Sequence, residues 1–192
     1  MGKLIVVTAP SGAGKTTVVR HLLKKFDFLG FSISATTRTK RKHEQDGTDY
    51  YFMTVDKFKE LRRRRKFVEW EEVYENQYYG TLKSEVELIC EEGRHIIFDV
   101  DVKVSKDIKK KYPEETLAIF IKPPSIEELW QRLRDRETED EASLKKRFAR
   151  SRRELRYEKK FDKVLVNDKL DIALKEAEEM VLTFICEAKK ED

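Results

Sequence analysis

Residues 9–16, Ala-Pro-Ser-Gly-Ala-Gly-Lys-Thr, constrain the fold of this 192-residue chain more than any other stretch. They follow an apolar run at 4–7, Leu-Ile-Val-Val, that reads as a buried strand, and they open a segment at 16–26 with helical periodicity. A strand, a tight glycine turn and a helix in that order make a cradle for phosphate. Glycines at 12 and 14 let successive backbone N–H groups point inward, and the helix aims the positive end of its dipole at the same place. Lys15 then reaches the β- and γ-phosphates of a nucleotide, and the Thr16 hydroxyl suits Mg²⁺. The strict pattern asks for Gly at position 9, where this chain has Ala9.

Four further apolar runs, at 31–33, 96–100, 117–121 and 164–166, read as central strands. Segments at 102–112, 125–136, 141–161 and 170–188 carry helical periodicity. Short buried strands alternating with helices predict an α/β fold: a P-loop NTPase-type parallel sheet of about five strands with helices on both faces. A ligand then belongs at the C-terminal ends of the strands, where the glycine turn sits. Residues 34–90 break the rhythm and read as a small mixed α/β insert, with strand-like segments at 50–52, 67–70 and 77–80, a short helix near 56–65 and another from about 82. Acidic and basic residues nearly cancel, 37 against 41, so duplex nucleic acid is not the expected partner. The basic block Arg62–Lys66 reads as a solvated helix end. No apolar stretch reaches membrane-spanning length and no signal peptide is legible. Cys90 and Cys186 fall in helical segments, which fits reduced thiols in a cytoplasmic protein.

After the second strand comes Ser34-Ala35-Thr36-Thr37-Arg38-Thr39-Lys40-Arg41, with two arginines three apart suited to a dianionic phosphate. Further on stand Gly47-Thr48-Asp49-Tyr50, Phe67-Val68-Glu69-Trp70 and Tyr78-Tyr79-Gly80-Thr81. Beyond these come Ile97-Phe98-Asp99-Val100-Asp101, Lys122-Pro123-Pro124-Ser125, the segment Arg132–Glu139, and Val166-Asn167-Asp168. In this order, and nearly end to end, the chain resembles the guanylate kinases.

The resemblance implies a core domain (1–32, 87–124 and 157–192), a GMP-binding insert at 33–86 and a helical lid at 125–156. It implies ATP with Mg²⁺ as donor and GMP, with dGMP beside it, as acceptor. Ser11, Gly12, Ala13, Gly14, Lys15, Thr16 and Thr17 match the donor-phosphate site, Arg132 is a further ATP-binding candidate, and Asn167 and Asp168 match residues near the adenine of ATP. Ser34, Glu69, Thr81 and Asp101 match the guanine readers, and Arg38, Arg41, Tyr50 and Tyr79 the ligands of the GMP phosphate. Thr16 and Asp99 match the Mg²⁺ residues. Arg136 and Arg147, with Lys15 and Arg41, match the groups that neutralise the transferring phosphoryl. The chemistry agrees: a carboxylate accepts from guanine N1 and N2 together, and a hydroxyl donates to O6. Binding of both substrates is expected to close insert and lid and exclude water.

Several positions depart from the family pattern: Lys40 for Pro, His43 for Gly, Lys103-Val104 for Gln-Gly, and Glu137 for a lid Gly. The alternatives are a non-catalytic guanylate-kinase-like module that binds peptides, and a kinase of the same build acting on another monophosphate. A switch GTPase is disfavoured because no Asn-Lys-x-Asp segment is present. Oligomeric state is not legible.

Overall fold

The computed structural model describes residues 2–42, 44–135 and 141–188, so His43, Arg136 and Glu137 lie outside the described residues. The chain divides into two compact units, one of residues 28–96 with the first two residues, the other of residues 3–27 and 97–192.

Five strands make the main sheet: β1 (Leu4–Thr8), β2 (Leu29–Phe31), β7 (His95–Asp99), β8 (Thr116–Lys122) and β9 (Lys163–Val166), in the order β2-β7-β1-β8-β9. β1 runs parallel to β8, from Leu4 opposite Thr116 to Thr8 opposite Phe120. β8 runs parallel to β9, from Ile119 opposite Lys163 to Lys122 opposite Val166. Every residue of β1 is buried, and so are the first six of β8. A strand with no exposed alternation is covered on both faces, as parallel sheets are. The unit of residues 3–27 and 97–192 holds the helices α1 (Lys15–Lys25), α4 (Val102–Lys111), α5 (Ile126–Arg134), α6 (Glu141–Leu155) and α7 (Leu170–Ala188). α1 packs on β1 and α7, α4 on β1 and β8, and α7 on β9.

Three expectations need adjusting. The run at 31–33 is not one strand: β2 ends at Phe31, and β3 (Ser34–Thr36) starts a second sheet, so the apolar residues straddle a junction. The last strand is buried on one side only. Leu165 is inaccessible while Val164 and Val166 are exposed, because β9 is the sheet's edge. The helix expected at 141–161 stops at Leu155 and is followed by a short 3₁₀ turn, Glu158–Lys160.

The other unit carries the second sheet, β3, β4 (Tyr51–Phe52), β5 (Phe67–Tyr74) and β6 (Gln77–Leu82), ordered β4-β3-β6-β5, with α2 (Val55–Arg63) and α3 (Lys83–Glu91). β3 is parallel to β4 and antiparallel to β6, which is antiparallel to β5. The β5–β6 hairpin turns on Glu75-Asn76, with Asn76 in the left-handed region at φ 58°. Its small core is Ala35, Phe58, Phe67 and Tyr78. Phe58 from α2 is sandwiched between the rings of Phe67 (4.3 Å) and Tyr78 (5.2 Å), which fixes helix to sheet. α2 ends as the basic block suggested: Arg63–Lys66 are exposed, and Arg65 takes the left-handed conformation (φ 54°) just past the helix.

Candidate functional site

The glycine loop is shaped as its sequence implies. Gly12 and Gly14 have φ of 93° and 94°, values that residues with a Cβ adopt only with strain. Ala9 is not among the described residues with positive φ, so the missing glycine leaves no backbone strain at that position. The loop is gripped from behind. A Cβ on Gly12 would lie 3.1–3.2 Å from Leu129 and Leu133 of α5, and one on Gly14 would lie 2.2 Å from Asn167 Nδ2. Ala13 N–H donates to Pro10 O (3.1 Å), which closes the turn.

α1 begins directly on Gly14 without a side-chain cap and without an acidic residue in its first turn. By contrast, Thr54 caps α2, Asp101 caps α4 and Ser125 caps α5, while α3, also without a side-chain cap, carries Glu85 in its first turn. The first-turn amides of α1 are therefore offered to an anion rather than to the protein's own side chains. Lys15 Nζ pairs with the Asp99 carboxylate at the end of β7 and donates to Val100 O at 3.1 Å. Thr16 and Thr17 are exposed and Ser11 is partly so.

The guanine-reading candidates of the insert form one row. Ser34 on β3 stands opposite Thr81 on β6, and Thr81 stands opposite Glu69 on β5. Residues directly opposite in antiparallel strands project to the same face. Thr81 Oγ1 donates to Glu69 Oε1 at 2.7 Å, so the hydroxyl orients the carboxylate. Gly80 beside them sits too close to the β5 backbone for a Cβ, 2.8 Å from Glu69 O. Asp101 lies in the other unit as the N-cap of α4, accepting from Lys103 and Val104 N–H at 3.0 Å each. The cap works through backbone amides, so it is indifferent to Lys103-Val104 standing where Gln-Gly is usual.

The phosphate candidates of the insert also converge. Arg38 Nε donates to the Tyr79 hydroxyl (3.2 Å), its guanidinium lies 5.3 Å from the Tyr50 ring, and the Tyr50 and Tyr79 rings meet edge to face. Sequence reasoning missed the residue that organises them, Glu44. It receives Arg38 through both fork nitrogens (2.9 and 2.7 Å) and the Arg41 backbone N–H (2.8 Å), and is only 7% exposed. The bonds from Arg38, then that from Arg41, hold its carboxyl down at about 2 against an ordinary 4.5, and Glu44 in turn raises Arg38. The signal was present as a carboxylate three residues after Arg41, but a lone Glu in an exposed-looking loop does not announce a bidentate partner. Arg41 itself is exposed.

Of the remaining candidates, Arg132 binds inward. It donates from Nε to Glu128 Oε1 (2.8 Å) and from Nη1 to Asn167 O (3.0 Å). Asn167 is buried, with its amide on the loop carbonyl of Ala13 (2.9 Å), while Asp168 is exposed. Arg147 lies on α6, which Phe148 fixes to α5 through Trp130 (4.7 Å). Among the described residues no cluster of three or more metal-ligating side chains occurs. Thr16 and Asp99 offer hard oxygen donors, which suit an ion such as Mg²⁺ that keeps waters and takes phosphate oxygens rather than a full protein cage.

A glycine turn between a parallel strand and an uncapped helix, with a lysine on a strand-end carboxylate, defines a P-loop phosphate-binding α/β protein. Comparison with known proteins narrows this. Residues 1–183 match the model of the family described as Guanylate kinase. The chain is 47% identical over 186 residues to a guanylate kinase of Porphyromonas gingivalis, covering 96% of this chain and 99% of that one. It is 44% identical to a guanylate kinase of Bacteroides thetaiotaomicron, covering 96% and 90%. Its fold matches the crystal structure of guanylate kinase from Anaplasma phagocytophilum with a TM-score of 0.73 at 24% identity, over 95% of this chain and 85% of that one. The chain belongs to the guanylate kinase family.

Proposed function

We propose that the chain transfers the γ-phosphoryl group of ATP to the phosphate of GMP, giving ADP and GDP. The observation that carries this reading is the Ser34–Thr81–Glu69 row, a carboxylate oriented by a hydroxyl on the same sheet face. Guanine answers such a pair with N1–H, N2–H₂ and O6, whereas adenine leaves a desolvated carboxylate without its donors. Discrimination by polar sites of this kind reaches roughly 10⁴-fold. A peptide-binding module would have no use for an intact phosphate loop.

Phosphoryl transfer asks mainly for positioning and charge neutralisation. The loop amides around Ser11, Gly12, Ala13, Gly14, Thr16 and Thr17 hold the donor phosphates, with Lys15 moving from Asp99 onto their β- and γ-oxygens. Arg38, Arg41, Tyr50 and Tyr79 hold the acceptor phosphate, and Asp101 supports the base. An acceptor oxygen attacks Pγ while the bond from Pγ to the bridging oxygen breaks. The acceptor is already anionic and needs no general base. Arg41, Arg136 and Arg147 neutralise charge on the transferring group, Asp168 lies toward the donor base, and Arg132 and Asn167 serve the donor site. Thr16 and Asp99 would hold Mg²⁺, which would supply charge neutralisation on the donor phosphates. Residues 33–86 serve the acceptor and 125–156 act as the lid. We place the reaction in the cytoplasm, which the two free cysteines fit. No helix among the described residues is long and apolar enough to cross a membrane.

The test is ADP release with Mg²⁺-ATP and GMP, dGMP, AMP, UMP or CMP, for wild type and Glu69→Ala. Activity confined to guanine substrates, with KM for GMP raised at least tenfold in the variant, is expected. A folded wild type that phosphorylates none of them rules the kinase out in favour of the binding module. Preference for AMP or UMP overturns the assignment of Glu69 and Ser34.

A further inference from the structure

We propose that Asn167 is a positioning residue that sets the peptide planes of the phosphate loop, rather than a reader of the donor base. This rests on the phosphate-loop part of the function proposed above. The amide Nδ2 donates to the carbonyl of Ala13 at 2.9 Å, and Asn167 is buried. In a trans peptide the C=O of one residue and the N–H of the next point in opposite directions. Holding the Ala13 carbonyl toward Asn167 therefore turns the Gly14 N–H away from it, to the opposite side of the loop. Gly14 is where α1 starts without a side-chain cap, so this amide belongs to the anion-binding end of the helix.

Asn167 can act this way because its own backbone is fixed at both ends. Its N–H donates to Lys122 O at 2.8 Å, continuing the β8–β9 ladder, and its carbonyl receives Arg132 Nη1 at 3.0 Å. Arg132 is in turn held by Glu128, one turn earlier on α5. The fit is tight: any side chain at position 14 would meet Nδ2 at 2.2 Å. A second, weaker brace repeats the device two residues back. Ser151 of α6, 1% exposed, brings its hydroxyl 3.4 Å from Ser11 O, which by the same peptide geometry turns the Gly12 N–H the other way. Between the two braces Ala13 N–H is engaged by Pro10. The carbonyls at 11 and 13 are thus bound by side chains from α6 and from the end of β9. The glycine amides at 12 and 14 are the ones aimed at phosphate.

The two roles for Asn167 separate when the ligand has no base. Binding of ATP and of inorganic tripolyphosphate should be measured by calorimetric titration on wild type, Asn167→Ala and Asn167→Leu, the second filling the space without charge or donor. GMP binding and melting temperature run alongside. We expect both donor ligands to weaken by a similar factor, on the order of tenfold, with GMP affinity unchanged within about twofold. Loss of ATP binding with tripolyphosphate unaffected makes Asn167 a base reader and overturns the proposal. Unchanged binding of both ligands in a variant that melts like wild type also overturns it. If wild type binds tripolyphosphate in this Asn167-dependent way yet turns over no GMP, the positioning role stands and the kinase reading falls.

Discussion

Lys15 and Arg38 both sit against a carboxylate, but the two pairs are built differently. Lys15 meets Asp99 as a point charge on a flexible stem, with both side chains more than a fifth exposed and one further bond, to Val100 O. Arg38 gives its whole fork to Glu44, its Nε to Tyr79 and a further Nη1 bond to Thr39 O (2.8 Å). An ammonium can exchange one partner for another at little geometric cost, while a planar guanidinium in a buried fork keeps the partner it has. The proposed function has the loop's cation move from Asp99 onto the donor phosphates, which this loose pairing allows. The insert's cation is held in place by Glu44, Tyr79 and Thr39. Both terminal nitrogens of Arg38 are engaged by Glu44, while Arg41 is the exposed arginine of the pair.

The largest effect should come from the mobile cation. Lys15→Ala is expected to lower kcat by roughly 10³-fold, about 4 kcal/mol of transition-state stabilisation, with KM for GMP little changed. A variant that lost GMP affinity instead would show that Lys15 serves the acceptor, and the contrast with Arg38 would collapse.

Glu44→Gln tests the static cation. The amide cannot receive both fork nitrogens and the Arg41 N–H as a carboxylate does, so Arg38 loosens while keeping its charge. KM for GMP should rise about tenfold with kcat within about threefold, and ATP binding should not change. Acid sharpens the same point. Because the folded state lowers the Glu44 carboxyl from 4.5 to about 2, its contribution to stability is fully present above pH 4.5 and is lost as pH falls toward 2. The melting temperature of wild type should exceed that of Glu44→Gln at pH 7, and the gap should shrink as pH drops below 4.5. A gap that widened in acid would mean that Glu44 is held protonated, against its bonds to Arg38.

What was legible in the sequence follows the same division. The loop uses backbone geometry, and geometry that demands glycine and a following lysine leaves a local mark at 12, 14 and 15. The main sheet was legible for a similar reason: strands buried on both faces appear as unbroken apolar runs, and only the edge position of β9 and the junction at Ser32-Ile33 escaped. The candidate guanine row could be named from the resemblance, but nothing in the spacing of 34, 69 and 81 says they share a face. That depends on the β3–β6–β5 register, which exists only once the hairpin at Glu75-Asn76 has closed. Glu44 and the Asn167 brace were least visible, because each acts through a partner rather than on a ligand.

The smallest effect should come from the one irregular residue of the loop. If the loop's function lay in strict agreement with its pattern, Ala9→Gly would improve donor binding. The structure argues otherwise. Ala9 has no positive φ, and the two positions that do are already glycine, so a further glycine gains no conformation the loop lacks. It would instead give the unfolded chain more freedom, at a cost in stability of up to about 1 kcal/mol. KM for ATP should therefore stay within about twofold of wild type while the melting temperature falls slightly. A clear gain in ATP affinity would mean that Ala9 restrains the loop, and that the braces from Asn167 and Ser151 do not by themselves fix its shape.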